Sequence, residues 1–404
     1  MWNDSSNNKK IALNFAFVFV IILALFFSVS NNKTFATSVA ENAELESELE
    51  ENISNILDDI ESNELDDFLP VDFGLNFFDV SSFKLLAAKI LSGSYFNEYD
   101  SLFDAVKAMF FENLKSVLSV FLCLLVIVIL HEVFKNFCTD KYSDFKKSVK
   151  IVFSLVLVLL LFSLLKDLAE NIIATVSSLF NFSRVLFPIL LSLVLMSGAG
   201  GTHSVYNSLS LFLINTGSYL FVYVLIPMAV SILMLSLFGS VFGAKRFSKV
   251  IDILKSIFKW IVGLFFGTFG IFSMVNLISS GVKDGVSLKL TKFAIKNYVP
   301  IVGGYISDGF DFIHTCSVLV KNAFGVCGII VLLFIVLKPL LLYFVYLMLF
   351  KILSAVVALV GADDYADLFD NVSKSISYFV TVLILVFLVL FVFIYLLIIS
   401  VSVV

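Results

Sequence analysis

His131-Glu132-Val133-Phe134-Lys135 begins like the helix of a zinc protease. The H-E-x-x-H motif, however, needs a second His one turn later to complete the metal's coordination, and position 135 is Lys. His203 and His314 have no Cys or carboxylate clustered at ligand spacing, and the four Cys are scattered at 123, 138, 316 and 327. Gly239-Ser-Val-Phe-Gly243-Ala-Lys245 lacks the G-x-x-x-x-G-K-[ST] arrangement that cradles phosphates, so any ATP energy must come from another protein. Gly361-Ala362-Asp363-Asp364 departs from the G-x-G-D of intramembrane aspartyl proteases and reads as an exposed acidic turn. These residues predict no enzyme, no bound metal and no cofactor.

Polar residues inside apolar runs carry more information. A Lys or Arg at the centre of a membrane helix costs about 2.5–3.5 kcal/mol on insertion scales, so such residues often pair or mark a pathway. Arg184, Asn215 and Lys351 are the candidates, with Lys351 reading either as a residue that faces a polar interior or as part of a tilted or partly interfacial segment. Lys166-Asp167 reads as a span end whose charges snorkel to the interface. Gly198-Ala-Gly-Gly201 reads as a turn.

Only a membrane fold positions such residues in this chain. Of 404 residues, 60% are hydrophobic and 15% charged, against roughly 45–50% and 25% in soluble domains. With a net charge of -5 and no isolated basic tract, the chain is not a nucleic-acid binder. The expected fold is all-α: a polytopic transmembrane helical bundle of about 8–9 spans, each near 20 apolar residues. The runs are 117–134, 150–165, 172–197, 205–242, 259–280, 323–337, 339–360 and 376–404. The 205–242 run is too long for one crossing and carries Pro227, which predicts two short helices or a re-entrant hairpin. Gly263 and Gly267 have the small-xxx-small spacing of close helix contacts. Lys338-Pro339 reads as a stop followed by a new helix start.

Lys135, Lys141, Lys146, Lys147 and Lys150 form one basic segment, and Lys245, Arg246, Lys249, Lys255 and Lys259 another. Both are expected in the cytoplasm. The loop of Asp363, Asp364, Asp367 and Asp370 is then expected outside and the C-terminus inside. The connection 281–322 falls outside by parity and reads as an amphipathic helix lying in the interface or against the bundle.

Lys9 and Lys10 before the uncharged run Ile11–Ser30 read as an export signal over residues 1–36, either cleaved after Ala36 or Ala40 or retained as an anchor. Residues 37–115 form a small acidic, helical, extracytoplasmic region. Glu41 to Asp79 holds 14 acids and no Lys or Arg. Leu45, Leu49, Ile53, Ile56 and Ile60 recur at helical spacing, and Phe83, Leu86, Ile90, then Phe103, Val106, Phe110 and Leu114, resume it. Residues 116–404 form the polytopic domain.

Within the 281–322 connection, GVSLKLTKFAIKNYVPIVGGYISDGFD (Gly285–Asp311), continuing to SVLVKNAFG (Ser317–Gly325), resembles the stage III sporulation protein AE family of endospore-forming bacteria. Gly285, Leu288, Lys292, Phe293, Pro300, Gly303, Asp308, Lys321, Asn322 and Gly325 carry the resemblance, with Lys289 where Arg is more usual and Asp311 closing the first stretch. The resemblance implies a multi-pass subunit in the mother-cell membrane around the forespore. It also implies a place in a trans-envelope channel or secretion-like complex needed for late forespore development. Implied partners are the other stage III sporulation A proteins, including a cytoplasmic ATPase and ring-forming subunits, and indirectly stage II sporulation protein Q. The alternative is a stand-alone secondary transporter. Breaks near Gly198–Gly201 and Pro227 suit it, but the chain shows no internal repeat and few intramembrane carboxylates.

Overall fold

The computed structural model describes residues 63–68, 82–91, 99–137, 143–241, 246–298 and 303–400. The export signal and the 45–60 stripe lie outside them. Among the described residues every regular element is helical. Two short helices, α1 (Asn63–Asp66) and α2 (Phe83–Leu91), precede α3 (Tyr99–Phe137) and α4 (Ser143–Met196). There follow α5 (Gly200–Phe212), two π-helical segments (Leu213–Gly217 and Leu220–Leu225) and α6 (Ile226–Val241). The series ends with α7 (Arg246–Tyr298), α8 (Gly303–Leu359) and α9 (Asp363–Ser400). The periodicity expected at 83–90 and 103–114 appears as α2 and the start of α3, which runs on through residues 115 and 116 without a break.

Among the described residues six helices are long and apolar enough to cross a membrane, against the eight or nine spans expected. Lys166-Asp167 does not end a span. It lies inside the single 54-residue α4, where Lys166 Nζ sits 3.6 Å from Glu170 on the exposed side of the next turn. Pro339 likewise lies inside the 57-residue α8. Pro removes one N–H, and a helix held by its neighbours tolerates that loss. Residues 205–242 do not turn back: Gly200–Gly239 is one continuous helical passage. At its centre Ile226 N–H reaches back to the Phe221 carbonyl, a wide π turn directly before Pro227. The 281–298 stretch continues α7 as part of one helix and forms no separate interfacial one.

Two turns are closed identically. Gly198 (φ 78°) follows α4, and Gly361 (φ 87°) follows α8. Ala199 N–H bonds the Val194 carbonyl at 3.3 Å and Gly198 N–H that of Leu195 at 2.9 Å. Ala362 and Gly361 repeat the pattern on Val357 at 3.2 Å and Ala358 at 3.0 Å. Both are Schellman caps, which require the left-handed backbone that glycine adopts freely. The expected turns at 198–201 and 361–364 are therefore present.

Side-chain contacts fix which ends meet. The end of α3 and the starts of α4 and α9 gather where His131 packs on Tyr365 (centroids 5.0 Å apart) and Phe153 (5.6 Å), and Ser154 meets the Tyr365 hydroxyl at 3.2 Å. Lys135 lies at this end. At the opposite end α2 inserts Phe83 against Phe324 (5.3 Å) and Phe182 (6.5 Å), beside the last turns of α9. The Asp363–Asp370 segment thus shares an end with Lys135, and α9 finishes at the end of α2, the reverse of the parity expectation. Merging 323–337 with 339–360 removes one crossing and flips everything after it. The core follows α9, which buries Phe369, Ile376, Phe379, Leu383, Val386, Leu390, Phe393 and Leu397 among its neighbours.

Candidate functional site: a buried lysine and a polar outward face

Lys321 on α8 is fully buried. Its ammonium donates to the carbonyls of Leu397 (3.1 Å) and Ile398 (2.8 Å) in the last turn of α9. Leu397 and Ile398 lie in the last described turn of α9, where the helix dipole is negative, and the Ser400 hydroxyl also donates to the Leu397 carbonyl at 2.9 Å. A cation burying itself there satisfies both the end of α9 and its own donors. One turn further along α8, a Cβ on Gly325 would stand 2.5 Å from Ile398 Cγ1 and 2.7 Å from its Cδ1. Lys321 and Gly325 are therefore one device: the lysine holds the end of α9, and the glycine lets Ile398 approach. Near them the Asn322 Oδ1 and Ser317 Oγ atoms are buried without a hydrogen-bond partner.

The rest of the resembling segment is seen as backbone. Gly285, Leu288, Lys289, Lys292 and Phe293 lie in α7; Gly303, Asp308 and Asp311 lie in α8; Pro300 is outside the described residues.

Arg184 and Asn215, far apart in sequence, come to one depth on adjacent helices. Phe180 of α4 packs on Phe221 (6.2 Å), and a Cβ on Gly217 would lie 3.2 Å from Phe180 Cε1 and 3.6 Å from Phe265 Cζ. At this junction Arg184 and Asn181 point outward, the guanidinium donating to the Asn181 amide oxygen at 3.1 Å. Beside them the outward residues of the α5–α6 passage are Ser204, Asn207, Ser208, Leu211, Asn215, Thr216, Tyr219, Tyr223, Pro227 and Ser231. Ser204, Ser208 and Ser231 turn their hydroxyls onto the carbonyl four residues back, at 3.0, 3.3 and 2.8 Å. Tyr219 and Tyr223 lie ring to ring at 5.4 Å. Sequence reasoning found Asn215 but missed this stripe, whose period-four recurrence of Ser, Asn and Tyr was there to be counted.

Lys351 joins neither group: it is exposed on α8 rather than facing a polar interior. A Cβ on Gly263 or Gly267 would meet nothing within 4 Å, so the close helix contact expected of them is not made among the described residues. His131 is buried, its Nδ1 3.5 Å from Glu132 Oε1, and Glu132 pairs with Lys135 at 3.0 Å. Among the described residues no three His, Cys, Asp or Glu side chains converge as metal ligands.

The sequence profile of the stage III sporulation protein AE family matches residues 81–401, from α2 to the end of α9. The chain belongs to the stage III sporulation protein AE family. The stage III sporulation protein AE of Bacillus subtilis (strain 168) is 27% identical over 236 residues. That alignment covers 58% of this chain and 58% of the relative, so the match spans less than two thirds of the relative's length. No solved structure matches. The Lys321–Gly325 junction lies within the matched region.

Proposed function

We propose that this chain is the membrane subunit of a sporulation trans-envelope channel or secretion-like complex that links mother cell and forespore. Its partners are the other stage III sporulation A proteins, including a cytoplasmic ATPase and ring-forming subunits, with stage II sporulation protein Q beyond them. The observation that carries the reading is the family match over residues 81–401, a region whose described residues include six helices long and apolar enough to cross a membrane. In this reading the Lys135 end is cytoplasmic, by the rule that basic loops stay inside. The end of α2 and the final turn of α9 are then extracytoplasmic, in the mother-cell membrane facing the forespore. Residues 1–36 act as the export signal, the acidic region 37–115 offers partners a negatively charged surface, and 116–404 is the polytopic domain.

Affinity capture of the full chain from sporulating cells, in mild detergent, tests it. Recovery of other stage III sporulation A proteins is expected. Recovery of the chain alone, with solute uptake by the purified chain in liposomes, contradicts it and makes the chain a stand-alone transporter.

A further inference from the structure

We infer that the outward face from Ser204 to Ser231, with Asn181 and Arg184 beside it, walls a water-filled passage at membrane depth, and that the passage favours anions. The inference rests on the channel reading above and names the residues that would serve it.

Depth is the decisive point. Phe212 of α5 packs on Phe265 (6.3 Å) and Phe272 (6.4 Å) of α7, and Phe221 packs on Phe265 (5.4 Å). The α5–α6 passage and α7 are therefore in register here. At this depth α7 presents Leu264 (72% exposed), Ile271 (70%) and Met274 (67%), with no charge from Trp260 to Met274. That surface suits lipid. The neighbouring helix, at the same depth, exposes Ser208, Asn215, Thr216 and Tyr219 together with Leu211, while burying Leu213, Ile214, Phe221 and Leu225. Polar side chains turned toward hydrocarbon are costly, and in membrane helices they face protein or water. The π turns fit the same reading: they keep the stripe in line at a spacing of four and are frequent at functional sites.

Charge sets the preference. Between Glu170 and Asp252 the chain has no acidic residue. Among the described residues Arg184 hydrogen-bonds the neutral Asn181, whereas Lys166 is matched by Glu170. Glu170 lies ~21 Å from Arg184 along α4. A cation beside a low-dielectric wall raises the local concentration of anions.

Single cysteines at Ser208, Asn215, Leu264 and Ile271, in the full chain carrying Cys123→Ser and Cys138→Ser, are placed in native membranes and treated with charged, membrane-impermeant methanethiosulfonates. Cysteines at 208 and 215 are expected to react at least ~5-fold faster with the anionic reagent than with the cationic one, while those at 264 and 271 stay protected. Arg184→Gln is expected to abolish the sign preference and leave reactivity. Protection of 208 and 215, or their cross-linking between copies without reaction, overturns the passage. Equal reaction at 264 places that depth in bulk water and also overturns it. A preference that survives Arg184→Gln overturns the anion assignment. Partner capture on the same membranes separates the two readings: lost association with labelling intact sinks the complex and leaves the passage.

Discussion

The outward faces of α7 and of the α5–α6 passage stand side by side, share the Phe212–Phe265 and Phe221–Phe265 contacts, and have opposite chemistry. Both segments are strongly apolar in sequence. In α7 the excess shows on the surface; in α5–α6 most of it is turned inward against α4, α7 and α9, leaving a mainly polar face outside that also carries Leu211 and, near its end, Phe238. Hydropathy averages around a helix and cannot distinguish these cases. Only the packed bundle shows that one face resembles a lipid-facing span and the other does not.

The largest expected effect lies away from both faces, at the device that holds the bundle on which the comparison depends. Lys321→Met removes both ammonium hydrogen bonds to the end of α9, leaving the Leu397 carbonyl with the Ser400 hydroxyl, and is expected to cost about 2–3 kcal/mol, read as a lower thermal midpoint in detergent. An unchanged midpoint would show that the α9 end is held by other means. The comparison itself is challenged by adding the same charge to each face. Leu264→Arg is expected to lose about 2.5–3.5 kcal/mol of insertion free energy, and Tyr219→Arg far less; equal losses in a glycosylation-reporter insertion assay would erase the difference. Gly325→Ala is expected to cost about 1–3 kcal/mol by driving a methyl into Ile398. The double variant with Ile398→Ala should recover part of that, since the clash goes with the side chain. The smallest effect is at the exposed pair: Lys166→Ala should shift stability by less than about 0.5 kcal/mol, because such pairs are screened by water.

The all-helical membrane character was legible from composition and run lengths, and the turns at 198–201 and 361–364 from their glycines. The span count was not. A charge at Lys166 or Lys338 and a proline at 339 look like helix ends to a hydropathy window, yet an exposed charge or one missing N–H does not end a helix whose neighbours hold it. Parity then carried that error to the acidic loop and the C-terminus. Arg184 and Asn215 were visible as costly residues, but their shared depth depends on Phe180, Gly217 and Phe221 meeting across two helices. Lys321 stood out only by resemblance; its role as a cap for α9 comes from a contact 76 residues away.

The most direct test attaches a nitroxide at residue 215 and, separately, at residue 264 in the reconstituted chain and compares collision rates with oxygen and with a polar nickel complex. The account predicts nickel-dominated relaxation at 215 and oxygen-dominated relaxation at 264. Oxygen dominance at both would place the Asn215 face in hydrocarbon and contradict the claim that the two faces meet different solvents.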